Sequence, residues 1–244
     1  MIRTIQLFVF LVLFLGCTSN TLHAQQKFSG DEADKRCKGS TLIIIGKGAK
    51  VPTFVQMGET SNYPIGEFYT LTHLLLSMSD GDDLKEAKKG KDYLGFVHHH
   101  YDQMYKGLPV EGAEYVMHEK NGRIITLDGF FVDSINVNTI AAIAPKAALD
   151  MALKSCAARK YRWEDLQEEA NLRKTLKDSS ATRFPSPELC IASRNLDLLK
   201  REMHLCYRID IQTSDPIGEQ IFFVDAITAE IIGKKTIGAG NKQK

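Results

Sequence analysis

The chain has 244 residues, of which 43% are hydrophobic and 25% are charged, a composition typical of a folded protein with one or two domains. Its 31 basic side chains are balanced by 30 acidic ones, so it lacks the basic excess with which a nucleic-acid-binding protein neutralises phosphates. The same balance gives no reason to expect an acidic substrate.

The first 24 residues have the pattern of a secretory signal peptide. Arg3 provides the positive charge, and the apolar run "IQLFVFLVLFLG" that follows is too short for a comfortable bilayer span. Leu22 and Ala24 stand in the usual positions before a cleavage site, with the cut between Ala24 and Gln25. We therefore expect an exported protein that is secreted, periplasmic or held at the cell surface.

A lipoprotein site is the alternative within this segment. Gly16-Cys17 resembles the place where a bacterial lipoprotein is cut and lipidated, although Phe14 and Leu15 depart from the usual upstream residues. Lipidation at Cys17 is the one route by which the sequence predicts a membrane contact.

Four further cysteines stand at positions 37, 156, 190 and 206. An even number in an exported chain permits two disulfides, and the absence of a C-x-x-C spacing argues against a zinc site built from thiolates. Cys190 and Cys206 lie in strand-like segments joined by one connection, so they are the pair we favour. The alternative is that these cysteines are small buried hydrophobic side chains.

The pattern of the N-terminal half predicts a helix followed by an antiparallel meander. Residues 25 to 40 are interpreted as a polar leader, "TLIIIG" as a strand, and "GEFYTLTHLLLSMS" as a helix because its apolar residues recur at helical spacing. The basic cluster "KKGKDY" is interpreted as a solvated turn. From residue 92 to residue 137 the period changes to two, and Asn121-Gly122 supplies a hairpin turn.

The C-terminal half predicts two helices and then four strands. The first helix begins at Pro145, which suits the first turn of a helix, and "WEDLQEEANLRKTLKD" is the second. The strands are "ELCIA", "LCYRIDIQT", "QIFFVDA" and "EIIGKKT". Because strands cluster rather than alternate with helices, the fold class is α+β, with two units that each pack a helix on an antiparallel sheet. Residues 237 to 244 are a polar tail.

The histidine run "HHH" raises the question of a metal site. Side chains alternate along a strand, so His98 and His100 share one face with Asp102 while His99 points to the other. A metal site formed by His98, His100 and Asp102 is therefore one hypothesis, which we keep as an alternative. The run "HEKNG" begins the H-E-x-x-H motif of zinc peptidases, but Gly122 stands where the second histidine belongs. The favoured prediction from the residues alone is no enzyme, no metal and no cofactor.

The segment "LGFVHHHYDQMYKGLPVEGAEYVMHEKNGRI" resembles the fungalysin/thermolysin propeptide (FTP) domain. The positions that match its motif are Asp92, Gly95, His98, Tyr101, Gln103, Gly107, Pro109, Val110, Gly112, Ala113, Glu114, His118 and Gly122. His100 replaces the arginine that is usual in the family, and Asp102 stands where glutamine is common. The loss of the arginine removes a fixed positive charge at this position.

The rest of the chain resembles the PepSY-type half that follows in precursors of thermolysin-family zinc metallopeptidases. The usual ending there is Asp-Ala-x-Thr-Gly-Glu, and Ala229 replaces the glycine. The resemblance covers residues 45 to 235 and implies a cystatin-like or PepSY-like fold. It divides the chain into an FTP-like domain at residues 41 to 137 and a PepSY-like domain at residues 138 to 236.

The resemblance implies a propeptide that assists folding of a thermolysin-like zinc metalloendopeptidase and inhibits it, in cis or in trans. The catalytic H-E-x-x-H domain is absent, so we expect either a truncated precursor or a stand-alone copy. We expect contacts with the enzyme from the sheet faces and from the segment Ile232 to Lys244. The alternative is a secreted or lipid-anchored protein-binding module without a peptidase partner.

Roles for individual motif positions follow from their residue types. Glycine and proline at positions 107, 109 and 112 are expected to set a turn and the start of a strand, and Tyr101 and Val110 are expected in the core. The imidazoles of His98 and His118 and the amide of Gln103 are candidates either for polar function or for buried hydrogen bonding.

Overall fold

The computed structural model describes residues 24 to 238, which form four α-helices and twelve β-strands. The helices are α1 (Asp31–Arg36), α2 (Phe68–Leu76), α3 (Pro145–Ser155) and α4 (Leu166–Leu176). The strands are β1 (Gln26–Ser29), β2 (Ser40–Ile45), β3 (Phe54–Met57), β4 (Asp82–Lys91), β5 (Val97–Tyr105), β6 (Leu108–Lys120), β7 (Arg123–Gly129), β8 (Lys160–Tyr161), β9 (Glu188–Ser193), β10 (Met203–Asp215), β11 (Ile217–Asp225) and β12 (Ile231–Gly238).

Three expectations from the sequence lie wholly or mostly outside this range: the signal peptide at residues 1 to 24, the lipidation site at Cys17, and the polar tail at residues 237 to 244. The start of the tail is corrected, because Ile237 and Gly238 belong to β12. Within the described range, the helices are all too short or too polar to cross a membrane.

The α+β prediction is confirmed, because few helices pack on one large and almost wholly antiparallel sheet. The main path through the sheet runs β1-β2-β3-β7-β6-β9-β10-β11-β12, while β4 and β5 extend from β6 and β8 pairs with β10. A single parallel contact, Val110 opposite Ile191, joins β6 to β9. The two predicted units therefore share one sheet.

The two halves also share a core. One buried cluster lies within the N-terminal half around Phe68 and Leu127. The other contains Val110 and Ala113 from β6 together with Ala148 from α3 and Ile209 from β10. The sheet and this second cluster together fix the position of one half relative to the other.

Several elements follow directly from local sequence. Helix α2 buries Phe68, Leu71, Thr72, Leu75 and Leu76, which is the spacing of one helical face, and it ends where the next residue adopts a left-handed conformation. The Asn-Gly turn between β6 and β7 has φ values of 54° and 77° at its two residues, as a type I′ turn requires.

Residues 25 to 40 are folded, which corrects their interpretation as a polar leader. They include β1, which pairs with β2, and α1, whose Ala33 is completely buried. Cys37, which directly follows α1, is almost completely buried as well. The polar residues of α1 face solvent, so the short helix has too little apolar surface to be recognised from the sequence.

Two further boundaries differ from the sequence prediction. Strand β4 includes most of the basic cluster that was interpreted as a turn, because a solvent-exposed edge strand tolerates lysine. The meander ends at Gly129 rather than at residue 137, and residues 130 to 144 contain neither helix nor strand.

Candidate functional site

The motif residues of β5 lie on two faces of the sheet. His99, Tyr101 and Gln103 are almost fully buried on the core face. His98, together with His100, lies on the outer face and is partly accessible to solvent. The alternation predicted for the histidine run is therefore present, and the two faces have different surroundings.

On the core face, aromatic stacking and paired hydrogen bonds hold the strand in place. The ring of Tyr101 stacks on Phe68 of α2, with 4.2 Å between centroids. Burial, and then the carboxylate of Glu86, raises the pKa of Tyr101 to about 12. The Gln103 amide donates to the carbonyl of Val132 and accepts from its N–H, both at 2.8 Å. This side chain attaches β5 to the segment that follows β7.

His99 is buried between two carboxylates from neighbouring strands. Its Nδ1 lies 2.7 Å from Glu86 Oε1 on β4, and its Nε2 lies 3.7 Å from Glu119 Oε2 on β6. No role for His99 was predicted from the sequence. Its position on the core face was the available signal, because a buried imidazole needs polar partners.

On the outer face, His98 and His118 form the centre of a four-residue chain. Their Nδ1 atoms are 2.6 Å apart and their rings meet edge to face. His98 Nε2 lies 3.3 Å from Asp92 Oδ2, and His118 Nε2 lies 2.6 Å from Asp128 Oδ1. Three of these residues are motif positions, and Asp128 is the one that sequence reasoning missed.

The proposed metal trio is not assembled. His98 pairs with His118 and Asp92, whereas His100 pairs with Glu114 on β6. Burial, and then the neighbouring carboxylate of Glu114, raises the pKa of Asp102. In the range from residue 24 to residue 238, no cluster of three or more histidine, cysteine or acidic side chains is placed to hold a metal ion.

Asp92 holds the turn between β4 and β5. Its Oδ1 accepts hydrogen bonds from the N–H groups of Leu94 and Phe96, both at 2.9 Å. Burial by itself raises the pKa of Asp92, but these bonds and the contact with His98 outweigh burial and leave the pKa below its ordinary value. The turn and the histidine pair are therefore connected through one carboxylate.

The second part of the motif makes the turn into β6 and joins the two halves. Gly107 and Gly112 have a φ of 80°, a region that favours glycine, and Pro109 is exposed near the start of β6. Val110 is 3% exposed and is the residue that pairs with Ile191 of β9. These motif positions set the geometry of the junction.

A cavity of about 410 Å³ lies at this junction. Glu111, which lines this cavity, accepts a hydrogen bond from Arg208 Nη1 on β10 at 3.2 Å and pairs with Lys235 on β12. Arg208 also binds both carboxylate oxygens of Asp210 at 3.0 Å. Sequence reasoning did not identify Glu111 or Arg208, because their pairing depends on how the two halves meet.

Cys190 and Cys206 lie opposite each other on β9 and β10, and both thiols are free and buried. Burial raises the pKa of the Cys190 thiol to about 12. Burial, followed by the adjacent Cys190, raises the pKa of Cys206. The register agrees with the favoured pairing, but no disulfide is formed in the structure, so this bond stays a prediction.

Ala24 and Gln25, the residues of the expected cleavage site, are exposed and directly precede β1. Cleavage between them also stays a prediction.

Comparison with known proteins agrees with the motif. Residues 82–131 match the family model described as the Fungalysin/Thermolysin Propeptide Motif. The FTP resemblance is therefore confirmed for β4 to β7, and the matched motif is one of a propeptide rather than of a catalytic domain.

Two thermolysins, from Alicyclobacillus acidocaldarius subsp. acidocaldarius and from Bacillus caldolyticus, are each 22% identical to this chain over 147 residues. The match spans 60% of this chain but only 24% of each thermolysin. The structure is also similar to the Bacillus megaterium YpeB C-terminal domain, with a TM-score of 0.38 and 14% identity over 92% of this chain and 93% of that chain.

Proposed function

We propose that this chain is an exported propeptide module that binds the catalytic domain of a thermolysin-like zinc metalloendopeptidase, assists its folding and inhibits it. The observation that carries the proposal is the match of residues 82–131 to a propeptide motif. The local similarity to thermolysins points to the class of partner. We include binding in cis within a precursor and binding in trans between separate chains, and an inhibition assay tests the second arrangement.

The arrangement of the side chains in the motif supports a role in binding rather than in catalysis. Its core-face residues hold β5 in place, and its outer-face imidazoles are engaged with carboxylates. The junction residues fix the two halves in one arrangement. A rigid sheet of this kind offers a preorganised surface, which lowers the entropic cost of binding a partner.

We assign part of the contact surface to β12. Among the described residues, β12 pairs on one side only, with β11, so no described strand occupies its other edge. A free strand edge has unpaired backbone groups that can bind an extended segment of another chain. The segment Ile232 to Lys244, expected from the family resemblance to contact the enzyme, begins in this strand.

The proposal is tested by mixing residues 25 to 244 with thermolysin and measuring peptidase activity over time. We expect slow, tight inhibition, and we expect more activity to be recovered when unfolded thermolysin is refolded in the presence of this chain. Thr236→Arg, at an exposed position of β12, is expected to weaken inhibition at least tenfold. Thr175→Arg, at an exposed position of α4, is the matched control.

Full peptidase activity at every concentration of the folded chain, together with no gain in refolding, would contradict the proposal. That result favours the alternative, a secreted or lipid-anchored protein-binding module with no peptidase partner. Equal inhibition by the two threonine variants would remove β12 from the contact surface while leaving the inhibitor role intact.

A further inference from the structure

The hairpin of β4 and β5 ends in a turn, residues 92–96, which we call the hairpin tip. It lies at the end of β5 where Val97 pairs with Glu119. The opposite end of β5 is where Tyr105 meets Leu108, close to the contact of Val110 with β9. The tip is therefore at the end of the sheet distant from the junction of the two halves.

Two apolar side chains are exposed at the tip. Tyr93 is 95% exposed and Leu94 is 57% exposed. Single exposed apolar residues are common on protein surfaces, but these two are adjacent and project from a turn that is held by hydrogen bonds to Asp92. The hydrogen bonds to Asp92 thus fix the turn in a conformation that exposes both side chains to solvent.

Lysine side chains lie along the strands that lead to the tip. They belong to Lys88, Lys89 and Lys91 of β4 and to Lys120 at the end of β6. The ammonium group of Lys120 lies 4.4 Å from the centre of the Phe96 ring, which places it beside the tip. The lysine ion pairs found between residues 24 and 238 involve none of these four.

We propose that the hairpin tip is a docking site for an anionic lipid surface. Lys88 and Lys89 are adjacent in a strand, so their side chains leave opposite faces of the hairpin. The exposed side chains of Tyr93 and Leu94 therefore protrude with positive charge on both faces of the hairpin. A flat and deformable lipid surface can contact both faces at once, whereas a protein surface would contact one face. Tyrosine favours the interface between lipid and water, and lysine keeps its charge among the headgroups while its alkyl stem lies against apolar groups.

The experiment is co-sedimentation of residues 25 to 244 with phosphatidylcholine vesicles that contain or lack phosphatidylglycerol. We expect binding only to the anionic vesicles, and we expect it to weaken as salt is added. The double variant Tyr93→Ser, Leu94→Ser is expected to lose binding at least tenfold. Replacing Lys88, Lys89 and Lys91 by glutamine is expected to reduce binding about a hundredfold, because each lysine near an anionic surface contributes roughly a factor of five.

Matched controls lie on α3, on α4 and just after α4. The double change Leu166→Ser, Leu176→Ser removes two exposed leucines, and the triple change Lys154→Gln, Lys174→Gln, Lys177→Gln removes three exposed lysines. Both controls are expected to bind as the unaltered chain does. Circular dichroism spectra of all variants exclude loss of binding through unfolding.

The lipid proposal fails if the two kinds of vesicle bind equally, or if the controls lose as much binding as the tip variants. It also fails if vesicles are not bound while the tip variants lose inhibition of thermolysin, because the tip is then a protein contact. Vesicle binding is measured without any peptidase, so failure of this proposal is distinguishable from failure of the inhibitor role.

Discussion

His98 and His118 face each other across β5 and β6 with their Nδ1 atoms 2.6 Å apart. The outer nitrogen of each ring faces an aspartate oxygen, Asp92 for His98 and Asp128 for His118. The two rings therefore lie between two carboxylates in one chain of four side chains.

Replacing His118 by alanine is expected to lower the free energy of unfolding by about 1–2 kcal/mol, because it removes the partner of both His98 and Asp128. The measurement is urea unfolding at neutral pH. His73→Ala is the control, since His73 is an exposed histidine on α2, and its effect is expected to stay within about 0.5 kcal/mol. Equal effects of the two changes would show that the chain of four residues adds no stability.

The contact between these histidines was not predictable from the sequence, because it depends on an irregularity in the strand pairing. The register at the turn places Tyr105 opposite Leu108, and extending it along regular strands would pair His98 with Tyr115. A register shift between Asp102 and Met104 places His98 opposite His118 instead. The sequence predicts both strands and the facing direction of their side chains, but it contains no clear signal for the shift.

The same distinction applies to the whole fold. Local patterns identified α3 from Pro145 and β10 from the run "LCYRIDIQT", because those signals act within a few residues. The pairing of Val110 with Ile191 joins residues far apart in the chain, so it follows only from the assembled fold. The pairing of Glu111 with Arg208 depends on that assembly as well.

Ala229 adopts a φ of 63° in the turn between β11 and β12. The PepSY-type sequences that this half resembles usually have glycine at this position. An alanine in the left-handed conformation destabilises the folded state by roughly 1–2 kcal/mol. Glycine avoids this strain, but it lowers stability by about 0.5–1 kcal/mol because it gives the unfolded chain more conformational freedom. Ala229→Gly is therefore expected to stabilise the protein by about 0.5–1 kcal/mol, which corresponds to a rise in Tm of about 2 °C.

The matched control for this glycine is Ala157→Gly, at an exposed alanine outside the helices and strands and without a positive φ. It is expected to leave Tm unchanged or to lower it. Differential scanning calorimetry measures both variants, and a fall in Tm for Ala229→Gly would contradict the strain assigned to this turn.

Asp225 closes the same turn and is expected to make stability depend on pH. Burial raises the pKa of Asp225, but hydrogen bonds from the N–H groups of Thr228 and Ile227 and from His204 outweigh burial and leave the pKa below its ordinary value. A carboxyl whose pKa is lower in the folded state contributes stability that is fully present above its unfolded pKa of about 3.9. That contribution is lost as pH falls through the folded pKa.

Asp225→Asn keeps an oxygen that accepts the backbone hydrogen bonds but removes the charge. We expect it to be less stable than the unaltered chain by about 1 kcal/mol at pH 7, and we expect the difference to vanish at a pH below the folded pKa. Urea unfolding at a series of pH values measures this difference, with exposed Asp80→Asn as the control. A gap of constant size from neutral to acid pH would rule out the charge of Asp225 as its source.

Glu111 connects the two halves through side chains, because it lies on β6 and pairs with Arg208 on β10 and with Lys235 on β12. Glu111→Gln keeps the shape and removes the charge. Arg208 retains Asp210 as a partner and Lys235 is 41% exposed to water, so neither cation is left buried and unpaired. We therefore expect a moderate loss of about 1–3 kcal/mol, concentrated at the junction rather than spread through the fold.

Hydrogen exchange distinguishes a loosened junction from general destabilisation. In Glu111→Gln, faster exchange is expected in β9 and in the first residues of β6, while β7 keeps its protection. Glu114→Gln is the control, because Glu114 is also on β6 but pairs with His100 inside the N-terminal half. If both variants accelerate exchange equally in β9, the junction is held by the shared core and the Val110 contact alone, and the ion pairs of Glu111 contribute nothing specific to it.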